Sequence, residues 1–170
     1  MEYRGRTGND EGRTGVTMGE DLFGHGDDLD FLGTFTPRLD DKGRLLLPAK
    51  FRRGFTDGLV TTRGQERCLY LLPRAVFMAE VNRIRQAPRT NKQARDYMRV
   101  FMSGASDEQP DKQGRLSIPA ALRAYARLDR DVAVIGTGDR VELWDLAAWE
   151  TYLAELEFAY ADMEAGSMPD

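Results

Sequence analysis

Hydrophobic positions change period along this chain, and they do so in the same order in each half. Thr34-Phe35-Thr36-Pro37-Arg38-Leu39 alternates polar with apolar residues, the period of a half-buried strand, and its proline suits a sheet edge. Asp40-Asp41-Lys42-Gly43 has turn chemistry: an aspartate to bond the backbone ahead of it and a glycine for positive φ. Arg44-Leu45-Leu46-Leu47 reads as the return strand of a hairpin. Pro48 then blocks further ladder pairing and opens a short helix over 49–53, closed by Gly54 or Gly58. Strands are expected near 59–62 and 68–72, across a Gly64-Gln65 turn. The second half repeats the order, with a hairpin through 111–118, a Pro119 helix over 120–126, and strands near 132–135 and 141–144. The stretch Gly136–Val141 begins like a dinucleotide-binding fingerprint, but a valine stands where the last glycine belongs, so it reads as a hairpin loop.

Each half ends in helix, where the period becomes three to four. Pro73 opens a helix with Phe77, Val81 and Ile84 on one face; Pro88 breaks it, and Thr90 is placed to cap a second, carrying Ala94, Tyr97, Met98, Phe101, Met102 and Ala105. Asp145 is placed to cap the last helix, whose stripe Leu146, Trp149, Leu153, Leu156, Tyr160 and Met163 suits either core or a subunit contact.

The shared order has a literal source. Asp40-Asp41-Lys42-Gly43-Arg44-Leu45-Leu46-Leu47-Pro48-Ala49 returns 71 residues later as Asp111-Lys112-Gln113-Gly114-Arg115-Leu116-Ser117-Ile118-Pro119-Ala120. Two copies of D-x-x-G-R-L-x-Φ-P-A, where Φ is apolar, mark an internal duplication. The expected organisation is therefore α+β, two tandem repeats with flanking helices. Residues 1–30 form an acidic leader, too polar and glycine-rich to offset ordering entropy and read as disordered. Residues 31–105 form the first repeat with its helices, 106–164 the second with its C-terminal helix, and 165–170 a tail.

Composition narrows the chemistry. The chain has 170 residues, one cysteine and one histidine, so neither a disulfide framework nor a zinc site has raw material. No apolar run is long enough to span a membrane. Carboxylates abound, but none stands in an apolar, pKa-raising context, and no catalysis, cofactor, metal or small-molecule substrate is expected. The overall charge of −4 hides a strong asymmetry: −5 over residues 1–30, +9 over 31–100 and −8 over 101–170. Such a split points to a polyanion partner or to subunits meeting head to tail.

The basic turn is the candidate site. Arg38, Lys42, Arg44, Lys50, Arg52 and Arg53 make the first copy a compact cationic projection. Two-stranded ribbons fit the major groove of double-stranded DNA, where arginine donates twice to guanine, while lysines and helix-borne arginines grip phosphates. Asp40 with Arg44, and Asp111 with Arg115, are equally able to close an ion pair across each turn. For Arg44 the residues alone support base reading and turn stapling alike; for Arg115 they favour stapling. The second copy keeps Arg115 and Arg123 but has Gln113 for Lys42 and Ala121 for Lys50. The first copy is therefore expected to carry most of the DNA contact, and the second to complete the fold.

The doubled motif, with the opening Phe31-Leu32-Gly33-Thr34-Phe35, resembles the MraZ family of bacterial transcriptional regulators, relatives of the AbrB-like swapped-hairpin DNA-binding proteins. The resemblance covers residues 31 to about 160. It implies two tandem β-α-β swapped-hairpin repeats intertwined as a pseudo-dimeric β-barrel, a ring-shaped homo-oligomer, and a nucleoid-associated cytoplasmic repressor of its own division and cell-wall operon, acting on short promoter repeats. The family's D-x-x-x-R positions fall on Asp40 and Arg44 and on Asp111 and Arg115, and its basic turn residue on Lys42. The long acidic leader and Gln113 depart from the pattern. Two competing readings are an oligomeric interaction scaffold with purely structural hairpins, and an AbrB-like antitoxin, which two motif copies and several helices disfavour.

Overall fold

The chain runs β1 (Phe31–Phe35), β2 (Arg44–Leu46), α1 (Ala49–Arg52), β3 (Leu59–Arg63), β4 (Leu69–Pro73), α2 (Arg74–Arg85), α3 (Lys92–Ser103), β5 (Ser106–Glu108), β6 (Arg115–Ser117), α4 (Ala120–Tyr125), β7 (Val132–Gly138), β8 (Val141–Asp145) and α5 (Leu146–Ala161). The structure is a computed structural model and describes residues 31–163. The expected leader over 1–30 and tail over 165–170 lie outside the described residues.

The first strand does not fold back on its own hairpin. Pro37 has no N–H to give a ladder, β1 ends before it, and only an isolated bridge joins Leu39 to Leu45. β1 instead pairs antiparallel with β7 of the other repeat, Phe31 opposite Gly138 and Phe35 opposite Val134. The equivalent strand of the second repeat, β5, pairs with β3 of the first. The resulting six-stranded antiparallel sheet has the order β1-β7-β8-β4-β3-β5, symmetric about its centre, where Tyr70 faces Glu142, Leu69 faces Leu143 and Leu71 faces Val141. β2 and β6 form a separate two-stranded antiparallel ribbon. Two expectations are corrected here. The local hairpin of 34–39 with 44–47 is replaced by cross-repeat pairing. The pseudo-dimeric barrel is not closed, because β1 and β5 lie at opposite ends of an open sheet.

Both faces of that sheet are covered, which is why its strands read as continuous apolar runs. Leu69 and Leu71 of β4 point into a core shared with Leu45 and Leu116 of the ribbon and Phe51 and Leu122 of α1 and α4. Tyr70 and Leu72 point the other way, toward Phe77 and Val81 of α2, Phe101 of α3 and Trp149 of α5. Phe31, 1% exposed, explains the strand exchange: it stacks on Phe55 at 4.6 Å and meets Phe51 edge-on at 5.7 Å, deep in the first core. Cys68 is buried in the second core, burial pushes its thiol pKa up, and its Sγ donates to the Gln65 carbonyl at 3.2 Å.

Smaller differences have local causes. Asn91, not Thr90, caps α3, its Oδ1 accepting from the Ala94 N–H at 3.2 Å. β7 runs on through Gly136–Gly138, which the sequence assigns to a loop, because β1 lies alongside to pair with it. The tip between β3 and β4 is Glu66-Arg67, both left-handed (φ 53° and 66°), closed by Cys68 N–H to Gln65 C=O at 3.2 Å in the manner of a type I′ turn. That turn prefers Asn-Gly. Replacing Glu66 and Arg67 by Asn and Gly is expected to relieve about 1 kcal/mol of left-handed strain, read as a higher urea midpoint.

Candidate nucleic-acid interface

The ribbon gathers what the sequence keeps apart. Its pairs are Arg44 with Ser117, Leu45 with Leu116 and Leu46 with Arg115. Alternation buries Leu45 and Leu116 in the core and turns Arg44, Leu46, Arg115 and Ser117 outward. The two arginines, one from each repeat, thus lie on a single surface, with a D-x-x-x-R turn at either end. Leu46 is 53% exposed there, an apolar spot between the cations. The backbone extends the ladder at both ends: Ile118 N–H donates to Gly43 C=O at 3.0 Å, and Leu47 N–H to Gly114 C=O at 2.9 Å.

Each turn is held by its aspartate. Oδ1 of Asp40 accepts from the backbone N–H groups of Lys42 and Arg44, both at 2.9 Å, and Oδ2 accepts from Arg44 Nε at 2.7 Å. Asp111 repeats this with Gln113 and Arg115, at 2.9, 2.9 and 2.8 Å. Both arginines therefore staple their turns in the same way, where the sequence favours stapling for Arg115 alone. Only Nε is used; among the described residues neither Nη nitrogen of Arg44 or Arg115 has a hydrogen-bond partner.

Both carboxyls are held below the ordinary aspartate value of 3.8, first by the backbone N–H of the arginine four residues on, with the arginine side chain and the second N–H adding to it. A lowered folded-state pKa means a contribution fully present above 3.8 and lost as pH falls through the folded value. The Arg44 and Arg115 amides are thus expected to stay protected from hydrogen exchange down to pH 4 and to lose protection only below about pH 3.8. In Asp40→Asn and Asp111→Asn that acid transition disappears.

A second pair of arginines crosses between repeats. A Cβ at Gly43 would lie 2.6 Å from Cζ of Arg123, and one at Gly114 2.5 Å from Nη1 of Arg52. Both glycines also hold positive φ, 70° and 81°. Each short helix therefore lays its arginine on the turn of the other repeat. Arg123 Nε donates to Ile118 C=O at 3.0 Å, and Arg52 Nε is buried with no hydrogen-bond partner among the described residues. Arg52, a candidate for phosphate contact on sequence, is a packing residue in this arrangement. The lack of any side chain at two glycines 71 residues apart is the signal that could have found it.

The remaining candidates divide. Lys42, Lys50 and Arg53 are exposed beside the ribbon, and Lys42 and Lys50 have no ion-pair partner among the described residues. Arg38 is exposed but bound through Nε to Asp131 at 2.8 Å. Lys112, exposed at the tip of the second turn one residue before Gln113, supplies the second copy with a cation in place of the one that Lys42 gives the first. Of the other basic side chains of the +9 segment, Arg74, Arg83 and Arg85 stand on α2, Lys92, Arg95 and Arg99 on α3 and Arg89 between the two helices, which pack across the sheet from the ribbon; Arg63 ends β3 and Arg67 lies at the β3–β4 tip. Among the described residues no cluster suits a metal ion, and no helix is long and apolar enough to cross a membrane.

Comparison with known proteins agrees with the duplication. The family model described as "MraZ protein, putative antitoxin-like" matches twice, over residues 31–100 and 101–166. The chain is 65% identical to the Transcriptional regulator MraZ of Kineococcus radiotolerans over 139 residues, covering 82% of this chain and 97% of that protein. It is 60% identical to the protein of that name from Kocuria rhizophila, with the same coverage. For Salinispora tropica the figures are 59% identity, 82% of this chain and 98% of that protein.

Proposed function

The chain belongs to the MraZ family, and from that premise we propose a transcriptional regulator that binds double-stranded promoter DNA through the outward face of the β2–β6 ribbon. One observation carries this reading: two stapled arginines from different repeats lie on one exposed two-stranded ribbon. Stapling and reading are compatible. With Nε fixed to the aspartate, the Nη pair is held as a pre-oriented fork, the geometry that meets guanine O6 and N7. Leu46 supplies apolar contact for a thymine methyl, and Lys42, Lys50, Arg53 and Lys112 grip phosphates. The first repeat brings more cations to this face, and the second contributes Arg115 and Lys112.

In this reading the protein is a repressor at the promoter of its own division and cell-wall operon, where short direct repeats present equivalent groove faces to successive subunits of a homo-oligomeric ring. It acts in the cytoplasm, at the nucleoid, without catalysis or cofactor.

The test is binding to the gene's own upstream DNA and to a random duplex of equal length, across a salt series. A regulator of this kind loses affinity linearly in log salt, at about −0.9 per neutralised phosphate, and prefers the upstream DNA throughout. Equal affinity for both duplexes at every salt concentration would leave the ribbons as structural parts of a scaffold.

A further inference from the structure

The ribbon face gathers cations that nothing among the described residues answers. Lys42, Lys50, Arg53 and Lys112 are exposed there and make no ion pair among the described residues. The Nη nitrogens of Arg44 and Arg115 likewise have no hydrogen-bond partner among them. Like charges on one face repel one another, so a ribbon free of DNA is stabilised by any acidic chain that can reach it. Leu46, 53% exposed, sets an apolar spot in the middle of that face.

The same chain carries such a segment. Residues 1–30 hold eight carboxylates against three arginines, and they lie outside the family match, which begins at residue 31. Their charge is unevenly spread. Arg4, Arg6 and Arg13 all fall in the first half. Residues 20–30 hold Glu20, Asp21, Asp27, Asp28 and Asp30 with no lysine or arginine, and Leu22 and Phe23 stand between the acidic pairs.

This segment joins the fold beside the cations. Phe31 packs on Phe51 and Phe55, which bracket Arg52 and Arg53 in the chain, and Asp27, Asp28 and Asp30 lie within four residues of that anchor. Each ribbon strand has three residues and spans about 10 Å. The eleven residues 20–30 extend to about 36 Å, enough to pass α1 and cross the ribbon. Tethering keeps the segment at an effective concentration of about millimolar, so individually weak ion pairs suffice to hold it.

We propose that residues 20–30 occupy the ribbon face of their own chain when DNA is absent and must be displaced for DNA to bind. Asp27, Asp28 and Asp30 meet Lys50 and Arg53, Glu20 and Asp21 fill the open forks of Arg44 and Arg115 as bidentate carboxylates, and Leu22 and Phe23 cover Leu46. The segment stands in for phosphates on the surface that takes them, so the consequence for DNA rests on the reading above, whereas the contact itself does not. Because the segment competes with every duplex alike, it lowers affinity without changing preference.

The test uses the full chain, with Glu20→Gln, Asp21→Asn, Asp27→Asn, Asp28→Asn and Asp30→Asn combined and folding checked by circular dichroism. At about 0.05 M salt the variant is expected to bind both upstream and random DNA at least about tenfold more tightly than wild type. The gap narrows as salt screens the contact, and the ratio between the two duplexes is unchanged. A second arm reads the contact without DNA: p-benzoylphenylalanine at position 23 is photo-cross-linked in the otherwise wild-type chain and in the neutralised one. Cross-links within one chain to 42–53 or 112–117 are expected, and fewer of them in the neutralised chain. Unchanged affinity for both duplexes overturns the proposal, as do cross-links that are absent, fall elsewhere, join two chains or survive neutralisation undiminished. The expected cross-links in a wild type with no preference for upstream DNA would instead fault the DNA reading alone.

Discussion

Gly136→Val is expected to lower the stability of the fold by about 3 kcal/mol, at the upper end of overpacking costs. Gly136 faces Gly33 across the β1–β7 pair. A Cβ there would lie 2.4 Å from Leu32 N and Phe31 C and 2.6 Å from the Phe31 carbonyl oxygen. These are backbone atoms, so no rotamer change relieves the overlap, and the strands must separate. Separation withdraws Phe31 from the aromatic cluster with Phe51 and Phe55, so the exchange between repeats is lost along with the contact. Gly33→Ala is the matched comparison. Among the described residues nothing lies within 4 Å of a Cβ at that position and only its positive φ of 93° opposes a side chain, so a loss of about 1 kcal/mol is expected. Urea unfolding of the two variants separates collision from conformation: equal midpoints would mean that β1 does not pack on β7 as described.

The largest expected effect on binding belongs to Arg44. Arg44→Ala removes the fork that Asp40 orients and is expected to cost about 1–3 kcal/mol of discrimination between upstream and random DNA. Arg44→Lys keeps the charge without the planar fork, so discrimination falls while the salt slope is retained. Lys42→Ala does the reverse, with discrimination kept and the slope of log affinity against log salt reduced by about 1. Because Asp111 holds Arg115 as Asp40 holds Arg44, Arg115→Ala is expected to follow the pattern of Arg44→Ala. A ribbon that is merely structural would show Arg44→Ala and Arg44→Lys alike in DNA preference, and alike to wild type.

How much of this was legible in the chain varies with the range of the interaction responsible. The duplication, the proline-opened helices and the Asp145 cap are local, and residue type with spacing reveals them. Strand exchange is not local. Thr34–Leu39 has the pattern of a strand, but no pattern states which partner will take it, and Pro37 and the burial of Phe31 decided for β7. β5 was invisible for another reason: Ser106-Asp107-Glu108 has no apolar alternation and becomes a strand by pairing with β3. At the site, Asp40 and Arg44 stand four residues apart, and their ion pair was among the readings available from sequence. Arg52 looked like a phosphate contact because only the fold brings it to Gly114. The charge asymmetry was real, but one-dimensional counting merged two surfaces that the sheet separates.

The most direct test of the ribbon as the DNA-reading surface is hydrogen–deuterium exchange of the full chain with and without its upstream DNA. Protection on binding is expected at Asp40–Leu46 and Asp111–Ser117, extending to 50–53, with α2 and α3 unchanged. Protection confined to α2 and α3, with both D-x-x-x-R turns exchanging as in the free protein, would contradict it.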